Sequence, residues 1–83
     1  MRKKDEQKRK REEKIKKDLG QHLKKLRISR KLTLRELAAL ADIDHASIDK
    51  TENGTRNTPV QDLYALAEAF EVELIELFPY KKA

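Results

Sequence analysis

Before residue 18 the chain offers only two apolar residues, Met1 and Ile15, so any core it builds must be drawn from residues 18 onward. In that later part the apolar residues recur three and four apart, the period of a helix, and no long stretch alternates with period two. A core assembled from so short a chain is marginal, which demands that each apolar residue be well placed. The absence of Cys removes disulfide staples, thiolate zinc sites and cysteine nucleophiles together. No run of about 18 apolar residues spans a membrane, and no apolar h-region comes after the basic start. A soluble, cytoplasmic protein is the expectation.

Charge divides the chain at the same place. Of 20 Lys and Arg against 15 Asp and Glu, net +5, residues 1–17 hold ten basic and four acidic residues, net +6. The remainder is left at −1. The organisation expected is a basic arm over 1–17, a folded domain over 18–79 and a short tail over 80–83. Composition alone makes the arm disordered, because nothing between Arg2 and Lys14 can enter a core. Asp5–Arg9, Glu6–Lys10, Glu12–Lys16 and Glu13–Lys17, however, are acid-before-base pairs at i,i+4 that each support a helix by about 0.2–0.5 kcal/mol. Disorder and a helical extension of the first helix both remain open.

Five short helices are expected. The first carries Ile15, Leu19, Leu23, Leu26 and Ile28 to about Arg30, with Gly20 marking a close approach because glycine costs a helix about 1 kcal/mol relative to Ala. The second starts at a capping box, Thr33 with Glu36, and carries Leu34, Leu37, Ala38, Leu40 and Ala41 before Asp42-Ile43-Asp44 interrupts it. Asp44 caps a third, His45 to about Glu52, whose inward residue is Ile48, and Asn53-Gly54 ends it. Thr58 and Pro59 open a fourth, with Val60, Leu63, Leu66, Ala67 and Phe70 inward. A fifth, Leu74 to Phe78, is stopped by Pro79. His22 has no evident partner and reads as a solvent-facing residue.

The second and third helices meet the physical requirements of a helix-turn-helix. Ala38 is small where the helices cross, Asp42 tolerates the left-handed conformation, Ile43 seals the corner, and Ile48 is buried while the start of the third helix stays free. With LGQHLKKLR before this unit, TLRELAALADIDHASIDKTENGTRN through it and LYALAEAFEVELIELF after it, the chain resembles the Cro/phage-repressor (XRE-like) helix-turn-helix proteins from about Leu19 to Phe78.

The resemblance implies an all-α, compact five-helix, lambda-repressor-like DNA-binding domain and a sequence-specific transcriptional regulator, repressor-type, acting on DNA as a homodimer at a pseudo-palindromic operator. The family's base-reading positions match His45, Ala46 and Lys50. Lys50 would donate to guanine, His45 to a purine acceptor, and Ala46 would touch a thymine methyl. Asp49, on the same helix, either turns from the phosphates or accepts from a cytosine amino group. Phosphate positions match Thr33, Leu34, Arg35, Ser47, Arg56 and Asn57. The family's helix-one Arg and helix-three Glu match Arg27 and Glu52, and its dimerising end matches Leu74, Ile75, Phe78 and Tyr80. Asp42 and Glu71 stand where Gly is usual in the family, and Leu34 where many members have Gln.

No catalytic or metal constellation can be assembled from two separated His and no Gly-rich phosphate loop, so neither an enzyme nor a cofactor is expected. Lys24, Lys25, Arg30 and Lys31 read equally as a phosphate-facing stripe or a solvated helix face. The arm lacks the apolar face an interfacial helix needs, so no membrane partner is expected. Two other functions fit the residues: an antitoxin or phage-type switch with a protein partner, and an interaction or coactivator module with a nucleic-acid-binding arm.

Overall fold

A long first helix, α1 (Lys3–Ser29), is followed by three shorter ones, α2 (Leu34–Ala41), α3 (His45–Glu52) and α4 (Val60–Phe70), in a computed structural model that describes residues 2–80. A single 3-10 turn, Leu74–Leu77, closes the described chain. The class is all-α, but the fifth helix expected from the sequence is this 3-10 turn, not an α-helix. Pro79 and the backbone ending at Phe78 leave too few residues for α-helical hydrogen bonds to propagate.

The arm continues α1 without a break, and its residues from Lys3 to Ile15 are all exposed. Only from Leu19 does α1 join the core, where Leu23, Leu37, Ile48, Leu66, Phe70 and Leu77 are the deepest side chains. Helical periodicity overreached at the edges of this core. Ile28, expected inward, is 55% exposed, and Val60 is 62% exposed on the outer side of the first turn of α4.

Gly20 is where α1 crosses the end of α3, and a Cβ there would run into the backbone carbonyls of Thr51 and Glu52. The helix-propensity cost of this glycine is therefore the condition for the crossing. Gly54, at φ 75°, turns the chain beyond α3 and leaves no room for a Cβ beside the backbone of Lys17. Asn53 itself keeps a right-handed conformation, so Gly54 alone makes the turn.

Three helices end in one way. Lys31, Asp42 and Glu71 take φ of 57°, 54° and 57°, and each is followed by an apolar residue packed against the core, Leu32, Ile43 or Val72. The amides of these apolar residues bond back to the carbonyls of Arg27, Ala38 and Ala67. Each is a Schellman ending built on a residue with a Cβ. The strain is held by the apolar anchor that comes after it.

Candidate nucleic-acid interface

The second and third helices are oriented by their caps. Thr33 accepts from the amide of Glu36 at 3.1 Å while its own amide donates to Glu36 Oε1 at 2.9 Å, a complete capping box. The amides of Leu34 and Arg35 in the same first turn have no intrahelical acceptor, as at any helix start. Leu34 has its side chain packed against the core, which leaves only its backbone amide for a phosphate and corrects any expectation of a side-chain contact. Arg35 is exposed beside it.

Asp44 caps α3 by accepting from the amide of Ser47 at 3.2 Å. Ser47 is half-buried, and its carbonyl accepts from the Thr51 hydroxyl at 3.0 Å. Ile48 anchors α3 to the core, so the opposite side of the helix presents His45, Ala46, Asp49 and Lys50 to solvent. Among the described residues none of these four makes a side-chain hydrogen bond within the protein. Asn53, exposed at the end of the helix, continues the same face, a contribution the sequence reading did not single out.

Arg27 ties this unit to α1. Its guanidinium donates to Glu52 Oε2 at 2.7 Å and Oε1 at 3.1 Å, and to the Leu32 carbonyl at 2.8 Å. The side chains are 12% and 4% exposed. Hydrogen bonding to Glu52 raises the Arg27 pKa above its ordinary value, with the charges of Glu52 and Asp49 acting the same way against desolvation. One fork of donors thus fixes the end of α3 and the α1–α2 loop together.

The loop between α3 and α4 is organised differently from a set of free phosphate donors. Arg56 donates to Asp62 at 2.7 Å and to the Thr51 hydroxyl at 3.3 Å, so its guanidinium is held within the domain. Thr51 also meets the Thr58 hydroxyl at 3.0 Å. Thr58 is drawn to this contact, and Pro59 takes the N-cap position of α4 without a side-chain cap, one residue later than the sequence suggested. Asn57 remains exposed. Asp62 escaped notice because a contact six residues apart across a loop obeys no local spacing rule.

The last described residues fold back on α1. The Tyr80 hydroxyl donates to Asp18 at 2.9 Å, and Lys14 donates to the same carboxylate oxygen at 2.7 Å. These bonds, Lys14 first, hold the Asp18 carboxyl below its usual range. His22, taken from sequence as unpartnered, has its Nε2 2.8 Å from the Glu76 carbonyl. Leu74 and Phe78 pack against the core, while Ile75 and Tyr80 are exposed. Arg30, exposed, lies over the Phe70 ring at 5.3 Å. Among the described residues no group of three or more His, Asp or Glu is placed to hold a metal ion, and no helix is long and apolar enough to cross a membrane.

The helix-turn-helix family model matches residues 23–77, a span that takes in α2, the Asp42 turn and α3. The chain belongs to the helix-turn-helix family. A Bacillus subtilis relative, the uncharacterized HTH-type transcriptional regulator RghRB, is 52% identical over 40 residues, 48% of this chain and 29% of its own length. The chain thus spans less than a third of that curated helix-turn-helix relative. The restriction-modification controller protein C.AhdI from Aeromonas hydrophila superposes with a TM-score of 0.73 at 34% identity, over 75% of this chain and 94% of that one. A helix-turn-helix transcriptional regulator from Vibrio cholerae superposes with a TM-score of 0.76 at 26% identity, over 80% of this chain and 37% of its own.

Proposed function

We propose that the chain is a sequence-specific DNA-binding transcriptional regulator, repressor-type, that reads the major groove with α3. One observation carries this reading: α3 is fixed from behind by Ile48 and by the Arg27–Glu52 pair, while His45, Ala46, Asp49 and Lys50 face outward with no side-chain hydrogen bond among the described residues. A rigid helix with an unpartnered polar edge is what groove recognition requires. Lys50 donates to guanine, His45 to a purine acceptor, Ala46 meets a thymine methyl and Asp49 accepts from a cytosine amino group. The phosphates are met by the amides of Leu34 and Arg35, by the Arg35 side chain, and by Thr33, Ser47 and Asn57. Arg56 adds the guanidinium donors that Asp62 and Thr51 leave unused.

The domain that does this covers residues 18–79, with 1–17 as its basic extension. Two copies pair through Ile75 and Tyr80 with Leu74 and Phe78 behind them, placing two α3 helices about 34–36 Å apart on a pseudo-palindromic operator. Catalysis has no part in the proposal, and the protein works in the cytoplasm, on the nucleoid when bound.

Selecting bound sites from a random duplex pool with the full chain tests the reading. One enriched pseudo-palindrome is expected. On it, Lys50→Ala should cost about 1–3 kcal/mol and relax the preference at one base pair of each half-site. Enrichment of no sequence would overturn the function, and equal losses on selected and random duplexes would remove Lys50 from base reading. A chain that enriches nothing but captures one protein tightly would belong with the switch proteins.

A further inference from the structure

The acids of the arm are confined to one side of the helix it forms. Side chains three and four apart share a helix face. Lys3, Gln7, Lys10, Lys14, Lys17 and Gln21 succeed one another at alternating spacings of four and three, so one row along α1 holds bases and amides and no acid. The arm's four acids fall elsewhere. Asp5 and Glu12 prolong the row that seven residues on holds Leu19 and then Leu26, and Glu6 and Glu13 prolong the row of Gly20 and Arg27. The four acids thus extend the core-facing side of α1, where Arg2, Arg9 and Lys16 also fall on the row of Leu23, and the outer row carries bases without an acid.

The outer row is not remote from α3. Where α1 reaches the domain, Lys17, Gln21 and Lys24 line a shallow groove with Glu52 and Asn53. Asn53 lies four residues after Asp49 and three after Lys50, on the face that α3 turns outward. The basic row and the α3 face therefore meet at Asn53. From there the row runs back to Lys3 over about 21 Å at 1.5 Å per residue. That length matches about six nucleotides of one strand at 3.4 Å each.

We infer that this basic row is a second DNA-contact surface, which tracks the phosphate backbone of the duplex outside the base pairs met by α3. The inference rests on the reading of α3 as the recognition helix and adds a contact beyond it. Charge complementarity selects the occupant. Between Lys3 and Lys24 the row carries no apolar side chain, so a lipid surface or a protein groove finds nothing to bury. Lys14 is paired with Asp18, and Glu6 and Glu13 stand one turn before Lys10 and Lys17; Lys3, Lys10 and Lys17 are the row's principal phosphate contacts, with Lys4 and Arg11 beside them. A continuous helix, unlike a disordered arm, presents these groups at fixed intervals and loses little freedom when they bind.

The test compares two full-length variants of equal charge, Lys3→Gln/Lys10→Gln on the row and Lys8→Gln/Lys16→Gln off it. Fluorescence anisotropy measures binding to the selected site as a minimal duplex and with about ten base pairs added on each side, from 50 to 200 mM salt. Flanks should tighten binding of the unaltered chain. The row variant should lose that gain, and its salt slope on flanked DNA should fall by about 1.8 per bound chain, at about 0.9 per phosphate contact. Over that salt range this is about a tenfold difference from the off-row variant. Flanks that add nothing to the unaltered chain, or equal losses in both variants, would overturn the inference. An unaltered chain that does not prefer the selected site to a scrambled duplex of equal length would instead overturn the reading of α3. Circular dichroism checks that both variants keep α1, and Lys3→Ala/Lys10→Ala, with the strongest helix former, replaces a row variant that does not.

Discussion

Removing Arg27 should unfold much of the protein, and the reason is the group left behind. The Glu52 side chain is 4% exposed and receives two of the three hydrogen bonds that Arg27 makes. In Arg27→Ala the carboxylate keeps its burial and loses both donors, a situation that costs about 3–5 kcal/mol. A domain of this size has a total stability near the lower end of about 5–15 kcal/mol, so most of it would be lost. Glu52→Ala should cost less, because Arg27 is 12% exposed, keeps its bond to the Leu32 carbonyl, and has a long stem that can carry its charge toward water. Replacing both, Arg27→Met with Glu52→Leu, leaves neither charge buried and should be more stable than Arg27→Ala by about 2 kcal/mol or more. Urea unfolding followed by circular dichroism measures all three, and the melting temperature of Arg27→Ala should fall by at least about 12 °C, at about 4–8 °C per kcal/mol. A combined Arg27→Ala/Glu52→Ala variant that loses the plain sum of the two single changes, or a loss under about 1 kcal/mol in Arg27→Ala, would refute the pair as the clasp between α1 and α3.

Gly20→Ala gains about 1 kcal/mol of helix propensity and should still destabilise, because its methyl meets the Thr51 and Glu52 carbonyls and must push α1 from α3. Thermal unfolding checks the sign, and a stabilised Gly20→Ala would mean the crossing can relax. Glu71→Gly should stabilise by about 0.5–1 kcal/mol, since Glu71 holds φ 57° with no side-chain hydrogen bond among the described residues to offset it; an unchanged or lowered urea midpoint would count against strain at that helix end. The Asp18 carboxyl is held low by Lys14 and then by Tyr80, so its contribution is complete above the unfolded carboxylate pKa and is lost as pH falls through the lower folded value. An NMR titration should find Asp18 ionising below an ordinary aspartate and shifting upward in Tyr80→Phe, whereas an ordinary value in both would remove the Tyr80 anchor.

The starts of α2 and α3 were legible because their signals are local. Thr33 with Glu36 and Asp44 before His45 are side-chain-to-backbone contacts within one turn, and the structure has both. Gly20 was legible for a different reason, since a residue unfavourable in a helix needs an explanation and close packing supplies it. Contacts that span the chain were not. His22 reaches the carbonyl of Glu76, Tyr80 reaches Asp18, and Arg56 finds Asp62 across a loop, and no periodicity encodes those pairings. Val60 fits the apolar period of α4 yet lies on its exposed side. Lys31 was missed as a left-handed residue because only Leu32, anchored in the core behind it, reveals the bend.

The same contacts alter what the charge of the domain can do. Residues 18–83 carry ten basic groups, but their arginines are largely committed to the fold: Arg27 to Glu52, Arg56 to Asp62, Arg30 to the face of Phe70. Each of those guanidinium groups holds two elements together, and drawing one fully onto a phosphate would release a carboxylate or uncover an aromatic ring. Arg35 at the start of α2 and Lys50 on α3 are left exposed without such partners among the described residues. On the proposed reading, a domain that uses its arginines this way would discriminate between sequences through a few side chains but attract a polyanion weakly. The arm has the opposite character, with net +6, complete exposure from Lys3 to Ile15 and no acid on its outer row. Because phosphate contacts supply nonspecific affinity and base edges supply preference, on that proposed reading the two functions fall on two parts of one chain, joined where Lys17, Lys24 and Asn53 meet.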